Sequence, residues 1–224
     1  SEGVLVRQQS VTPEKVEGEV EVHITSKGDN SCMLNVAITD PDGVRTYTKR
    51  QRAKLDGKPV VVPFTIENPA LWSPDRPALY TVTATIGDET VTDSVTVRTG
   101  FRAIAASTAG ERIPVHGVTL YHDNALSGGT LAPEDYDADL RQIRTLGANA
   151  LRSAVIPHAQ YLYDRCDEQG MLVWVDTPLH RSSFLGDVAY YAMPAFEQNG
   201  MEQLQEIIAQ NINHPSVVMW GIFS

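Results

Sequence analysis

The chain changes its hydrophobic period near Phe101, and that change constrains the fold more than any single motif. Before it, apolar residues alternate. In 16–24, Val20, Val22 and Ile24 fall on one side and Glu19, Glu21 and His23 on the other, the spacing of a half-buried strand. Leu34, Val36 and Ile38 repeat it, and Asp40-Pro41-Asp42-Gly43 supplies a turn with glycine at its last position. Residues 60–66 and 80–86 follow, the latter ending at Gly87-Asp88, and 90–101 is rich in Val and Thr. About seven short strands without a helical period predict an all-β immunoglobulin-like sandwich over residues 1–103. A sandwich of another topology is the alternative.

After Phe101, strand and helix patterns alternate. Residues 114–121 form a short apolar run. Pro133 opens a helix in which Tyr136, Leu140, Ile143 and Leu146 recur at helical spacing until Gly147. Residues 150–156 read as a strand, a helix runs on to Gly170, and 171–175 are a third strand. Met201, Leu204, Ile207, Ile208 and Ile212 mark the apolar face of a third helix before a strand at 217–222. Such repeats build either a doubly wound sheet or a TIM (β/α)8 barrel. No Gly-rich phosphate loop follows the first of these strands; Tyr121-His122-Asp123-Asn124 does, which favours the barrel. A complete barrel takes about 250 residues and eight strands. Residues 104–224 are therefore expected to hold its first half, about four β/α units.

Charge narrows the partners. The net charge is −10, of which residues 104–224 carry −8, and none of the cations in that second part is lysine. So acidic a chain repels phosphate backbones, so no nucleic-acid partner is expected. No apolar stretch approaches the ~18 residues of a membrane span. Cys32 and Cys166 fall in different predicted domains, which argues against a disulfide, and Cys166 shares a helix face with Leu162 and reads as core. The six histidines show neither an i, i+4 pair nor a cysteine partner, so neither a protein-only metal site nor a cofactor is expected. The opening Ser1-Glu2-Gly3 has no leader pattern and reads as internal. The compartment is left open between a periplasmic or secreted bacterial parent and a cytoplasmic one.

Five motifs then stand in a specific order: ENPALWSPDRPALY (67–80), GERIPVHGVTLYHD (110–123), EDYDADLRQIRTLGANALRS (134–153), LYDRCDEQGMLVWVDTPL (162–179) and NINHPSVVMWGIFS (211–224). Together they resemble glycoside hydrolase family 2, the β-galactosidase, β-glucuronidase and β-mannosidase family. The resemblance implies a fragment of a retaining exo-β-glycosidase, of β-galactosidase type, that hydrolyses terminal β-linked sugars by double displacement. It also implies that the two catalytic glutamates lie outside this chain. The acid/base would come immediately after Ser224, which takes the place of the family's Asn, and the nucleophile would lie on the seventh strand. On its own the chain is expected to be inactive.

The substrate-facing residues implied are His122, Asp123, Arg152, Asp176 and Ser224. An arginine inside an apolar strand requires a carboxylate partner. For His122 and Asp123 the plain alternative is a loop histidine and an Asx turn before Ser127-Gly128-Gly129. Trp220 reads equally as a sugar-pocket floor or as core, Trp72 as a packing anchor and His214 as a helix-end residue. Ala154-Val155-Ile156 stands where the family has a polar Ser-His pair, and with Ser224 it keeps open a non-catalytic carbohydrate-binding homologue with a degenerate barrel site. An uncovered half-barrel has open edges and an apolar interior, so self-association is expected.

Overall fold

The computed structural model describes residues 3–25, 31–88, 90–103, 114–124, 128–178 and 194–222. Ser224 therefore lies outside the described residues. Seven strands come first: β1 (Val4–Val11), β2 (Lys15–Val22), β3 (Ser31–Thr39), β4 (Arg45–Lys54), β5 (Val60–Glu67), β6 (Tyr80–Ile86) and β7 (Asp93–Thr99). They form two antiparallel sheets, β1-β2-β5 and β4-β3-β6-β7. Alternation does its work in β2 and β5. Val16, Val20 and Val22 point inward with Val62, Phe64 and Ile66, and meet Leu34, Val36, Ile38, Tyr80 and Val82 of the other sheet in one core. Phe101 closes that core, its ring 4.7 Å from Tyr80 and 5.6 Å from Phe64. The 40–43 turn forms as expected: Asp40 Oδ1 accepts from the amides of Asp42 and Val44, and Gly43 takes a φ of 83°.

Two elements depart from simple periodicity. Five of the ten residues of β4 are Lys or Arg, so only Tyr47 and Ala53 carry its inner face. It is an edge strand, where such charge is common. At the opposite sheet the edge strand β1 is finished by a side chain. Asn213 Oδ1 accepts from the Val6 amide and its Nδ2 donates to the Val4 carbonyl, each at 2.8 Å. The backbone divides into two compact units, residues 1–103 with 210–215, and 104–209 with 216–224, so Asn213 belongs to the unit whose edge it completes.

The second unit is built from β8 (Gly117–Tyr121), α1 (Pro133–Thr145), β9 (Ala150–Ala154), α2 (Gln160–Gln169), β10 (Leu172–Asp176), α3 (Pro194–Asn211) and β11 (Val217–Gly221). The strands are parallel in the order β8-β9-β10-β11, each beside its predecessor. Pro133 opens α1 and the Asp135 carboxylate accepts from the Ala132 amide, so the first turn is capped. Tyr136, Leu140 and Ile143 are buried as their spacing predicts, but Leu146 is 75% exposed because the helix ends at Thr145. The expected apolar face of α3 is corrected at Met201, which lies within the helix but is exposed. Gly170 ends α2 in the left-handed conformation, φ 68°. Arg165 and Tyr161 on α2 both donate to the Asp137 carboxylate of α1, and Arg165 holds the pKa of Asp137 below its usual value. Cys166 is fully buried, as expected. No described helix is long and apolar enough to cross a membrane.

Candidate active site

Parallel strands send successive side chains to opposite faces, and here the two faces differ. Val118, Leu151, Val173, Val175 and Val217 point toward the helices and join Leu140, Ile143, Leu162 and Cys166 in one core. The opposite face is open. Across it, Thr119, Arg152, Trp174 and Met219 stand in register as one row. One step toward the strand ends, Tyr121 pairs with Ala154 and Asp176 with Gly221. The break in pairing between Val173 and Trp174 puts Trp220 opposite Val175, on the helix side. Trp220 thus packs against the core rather than on the open face.

Arg152 and Asp176 meet on that open face. Arg152 Nε donates to Asp176 Oδ2 at 2.9 Å, and Nη2 lies 2.7 Å from the same oxygen as an ion-pair contact. Asp176 is fully buried and the arginine side chain is 32% exposed, so the pair satisfies the requirement of a charge in an apolar strand. The guanidinium lies over Trp174, its Cζ 4.9 Å from the ring centroid. Asp176 Oδ1 has no hydrogen-bond partner among the described residues. Gly221 is what makes room for it: a Cβ there would strike Asp176 Oδ1 and lie 2.6 Å from Trp174 Nε1. Thr177 stitches the strand ends together, its amide and hydroxyl donating to the Gly221 carbonyl at 2.8 and 2.9 Å.

His122 turns toward α1. Its Nδ1 is 3.2 Å from Tyr136 Oη, and its ring meets that of His158 edge-to-face at 5.0 Å. His158 is buried, and among the described residues neither ring nitrogen has a hydrogen-bond partner of good geometry. Burial, then the neighbouring His122, press its pKa down to about 4, with the Ala154 carbonyl opposing slightly. The loop that carries His158 is pinned from below. Its amide donates to Tyr163 Oη at 2.8 Å, Tyr163 reaches Ser153 Oγ, and Ser153 donates to the Ile156 carbonyl. Asp123 is exposed and makes no hydrogen bond or ion pair among the described residues.

Of the residues expected from sequence, Arg152 and Asp176 are brought into direct contact. His122 and Asp123 sit together at the end of β8, and Ser224 lies outside the described residues. Three residues on the open face went unread: Tyr121, Trp174 and Gly221. The signal was available, since Trp174 is two residues before Asp176 and must share its face. His158 was missed because nothing local links it to His122.

Residues 4–102 match the family model described as "Glycosyl hydrolases family 2", and residues 106–223 match that family's TIM barrel domain. A β-glucuronidase of Bacteroides fragilis is 31% identical, with 100% of this chain covering 34% of that protein. A β-galactosidase of Thermoanaerobacter pseudethanolicus is 30% identical over 89% of this chain and 27% of its own length. The solved structure of a glycosyl hydrolase family 2 member from Bacteroides cellulosilyticus superposes with a TM-score of 0.82 at 27% identity, covering 100% of this chain and 31% of its own. The chain thus spans about a third of the length of the relatives it matches. Its two consecutive domain matches leave only a few residues uncovered, and the chain belongs to glycosyl hydrolases family 2.

Proposed function

We propose that this chain supplies the immunoglobulin-like sandwich and the first four β/α units of a (β/α)8 barrel in a retaining exo-β-glycosidase. Its expected substrates are terminal β-linked sugars, β-galactosides first. The observation that carries the proposal is the Arg152–Asp176 ion pair on the open face near the carboxyl ends of parallel strands, where barrels of this kind do their chemistry. His122 and Asp123 at the end of β8, with Ser224 beyond β11, would complete the rim. Retaining hydrolysis needs two carboxyl groups about 5 to 5.5 Å apart, one attacking the anomeric carbon and one protonating the leaving oxygen. The acid/base glutamate would follow directly after Ser224. Arg152 and Asp176 would not react; they would fix a positive edge beside those carboxyls and the bound sugar.

The test is kinetic, in the hydrolase that carries this chain, with nitrophenyl β-galactoside and, because several relatives bear the name β-glucuronidase, nitrophenyl β-glucuronide. Arg152→Lys and Asp176→Asn are each expected to lower kcat/KM about 10- to 100-fold, the scale of a small misplacement at a reacting centre. Proton NMR of the first-formed sugar should show the β anomer. Two variants with unchanged rates would remove these residues from the site, and an inverted anomer would overturn double displacement.

A further inference from the structure

The Arg152–Asp176 pair is held through a single carboxylate oxygen. A guanidinium locks its plane against a carboxylate when two parallel N–H···O bonds run to two oxygens. Here Nε and Nη2 converge on Oδ2 and leave Oδ1 unmatched, so these contacts alone leave the guanidinium free to swing about that oxygen. A second surface removes the freedom. Trp174 stands directly opposite Arg152 in the parallel pairing of β9 and β10, and the guanidinium lies over its ring. A flat cation over a flat ring is stable face-on, so the ring selects one plane. The indole is itself confined, because its Nε1 and Asp176 Oδ1 both crowd the position where any residue but glycine would carry a Cβ at 221. Of the five guanidinium N–H groups only Nε–H has a hydrogen-bond partner among the described residues, and the side chain is 32% exposed, so N–H donors are left over.

We propose that Trp174 is a positioning residue: it fixes the guanidinium plane of Arg152 so that its unused N–H groups are presented to an oxygen acceptor of the bound glycoside. The proposal rests on the sugar-site reading above for its acceptor, but not for the geometry. Trp174 is 37% exposed on the open face, so changing it leaves the helix-side core intact.

Two measurements test it and fail independently. The first is hydrogen exchange of the Arg152 Nε–H by nitrogen-15 NMR of the chain itself. Trp174→Leu is expected to speed exchange by roughly 3- to 30-fold, the range of a partly desolvated cation–π contact, and Trp174→Phe to restore most of the protection. Unchanged exchange in Trp174→Leu would overturn the proposal. The second is a double-mutant cycle in the hydrolase. Trp174→Leu should lower kcat/KM about tenfold with Arg152 present. With Arg152→Lys it should lower it little further, because an ammonium has no plane to orient. An equal loss in both backgrounds would mean that the ring acts on the sugar directly, and would also overturn the proposal. If Arg152→Lys alone leaves the rate unchanged, the sugar-site reading falls, and faster exchange in Trp174→Leu still establishes the positioning.

Discussion

At the scale of the residue, one buried side chain of the second unit ties its stability to pH. His158 is neutral in the fold with a pKa near 4, whereas an unfolded chain takes up that proton near 6.5. Its contribution is full above pH 6.5 and is lost as the pH falls toward 4, because there the unfolded chain binds more protons. The shift corresponds to about 3 kcal/mol at most. Thermal melts between pH 7 and 4 should fall more steeply for the native chain than for His158→Phe, which cannot titrate. Parallel curves would place the acid sensitivity elsewhere. Gly221 makes a sharper prediction. Gly221→Ala puts a methyl into space that Asp176 and Trp174 already fill, and should cost about 1–3 kcal/mol in urea unfolding, as overpacking does. A neutral result would mean that the indole and carboxylate have room to move aside.

At the scale of the element, two helix positions with the same chemistry should behave oppositely. Leu140→Ala empties a fully buried site and should cost about 2–5 kcal/mol, while Leu146→Ala, past the helix end, should change stability by less than about 0.5 kcal/mol. Strand β4 carries a different kind of information. Its cations add little to the core, and their expected role is to keep a free edge from pairing with another chain. Replacing Arg50, Arg52 and Lys54 together by Thr should leave the melting temperature nearly unchanged but raise aggregation on heating, read by light scattering. Unchanged aggregation would deny the edge that role.

The same contrast explains what the sequence reveals. α1 is legible because Tyr136, Leu140 and Ile143 face one core. β4 is not, because five charges break the alternation that Tyr47 and Ala53 alone maintain. In the site, the arginine's need for a carboxylate is legible from Arg152 by itself. Which carboxylate answers it depends on strand register, as does the place of Trp174 beside it. The His122–His158 contact joins two loops whose proximity no periodicity encodes.

At the scale of the whole molecule, the open face of the parallel sheet carries Tyr121, Trp174 and Met219 in exposed positions. A patch of that kind seeks cover, so the chain by itself is expected to self-associate. Sedimentation should show concentration-dependent assembly, and a single monomeric species at all concentrations would mean that the face is tolerated in water. Another boundary, the edge of β1, is closed by Asn213, whose amide stands in for one peptide unit. A peptide unit lasts as long as the chain, but a side-chain amide ages. Slow hydrolysis of Asn213 to aspartate would erase the donor to Val4 and leave two acceptors facing each other, with a buried charge between them. The sheet's boundary is therefore written in one side-chain amide, and its loss would open the edge with every strand still in place.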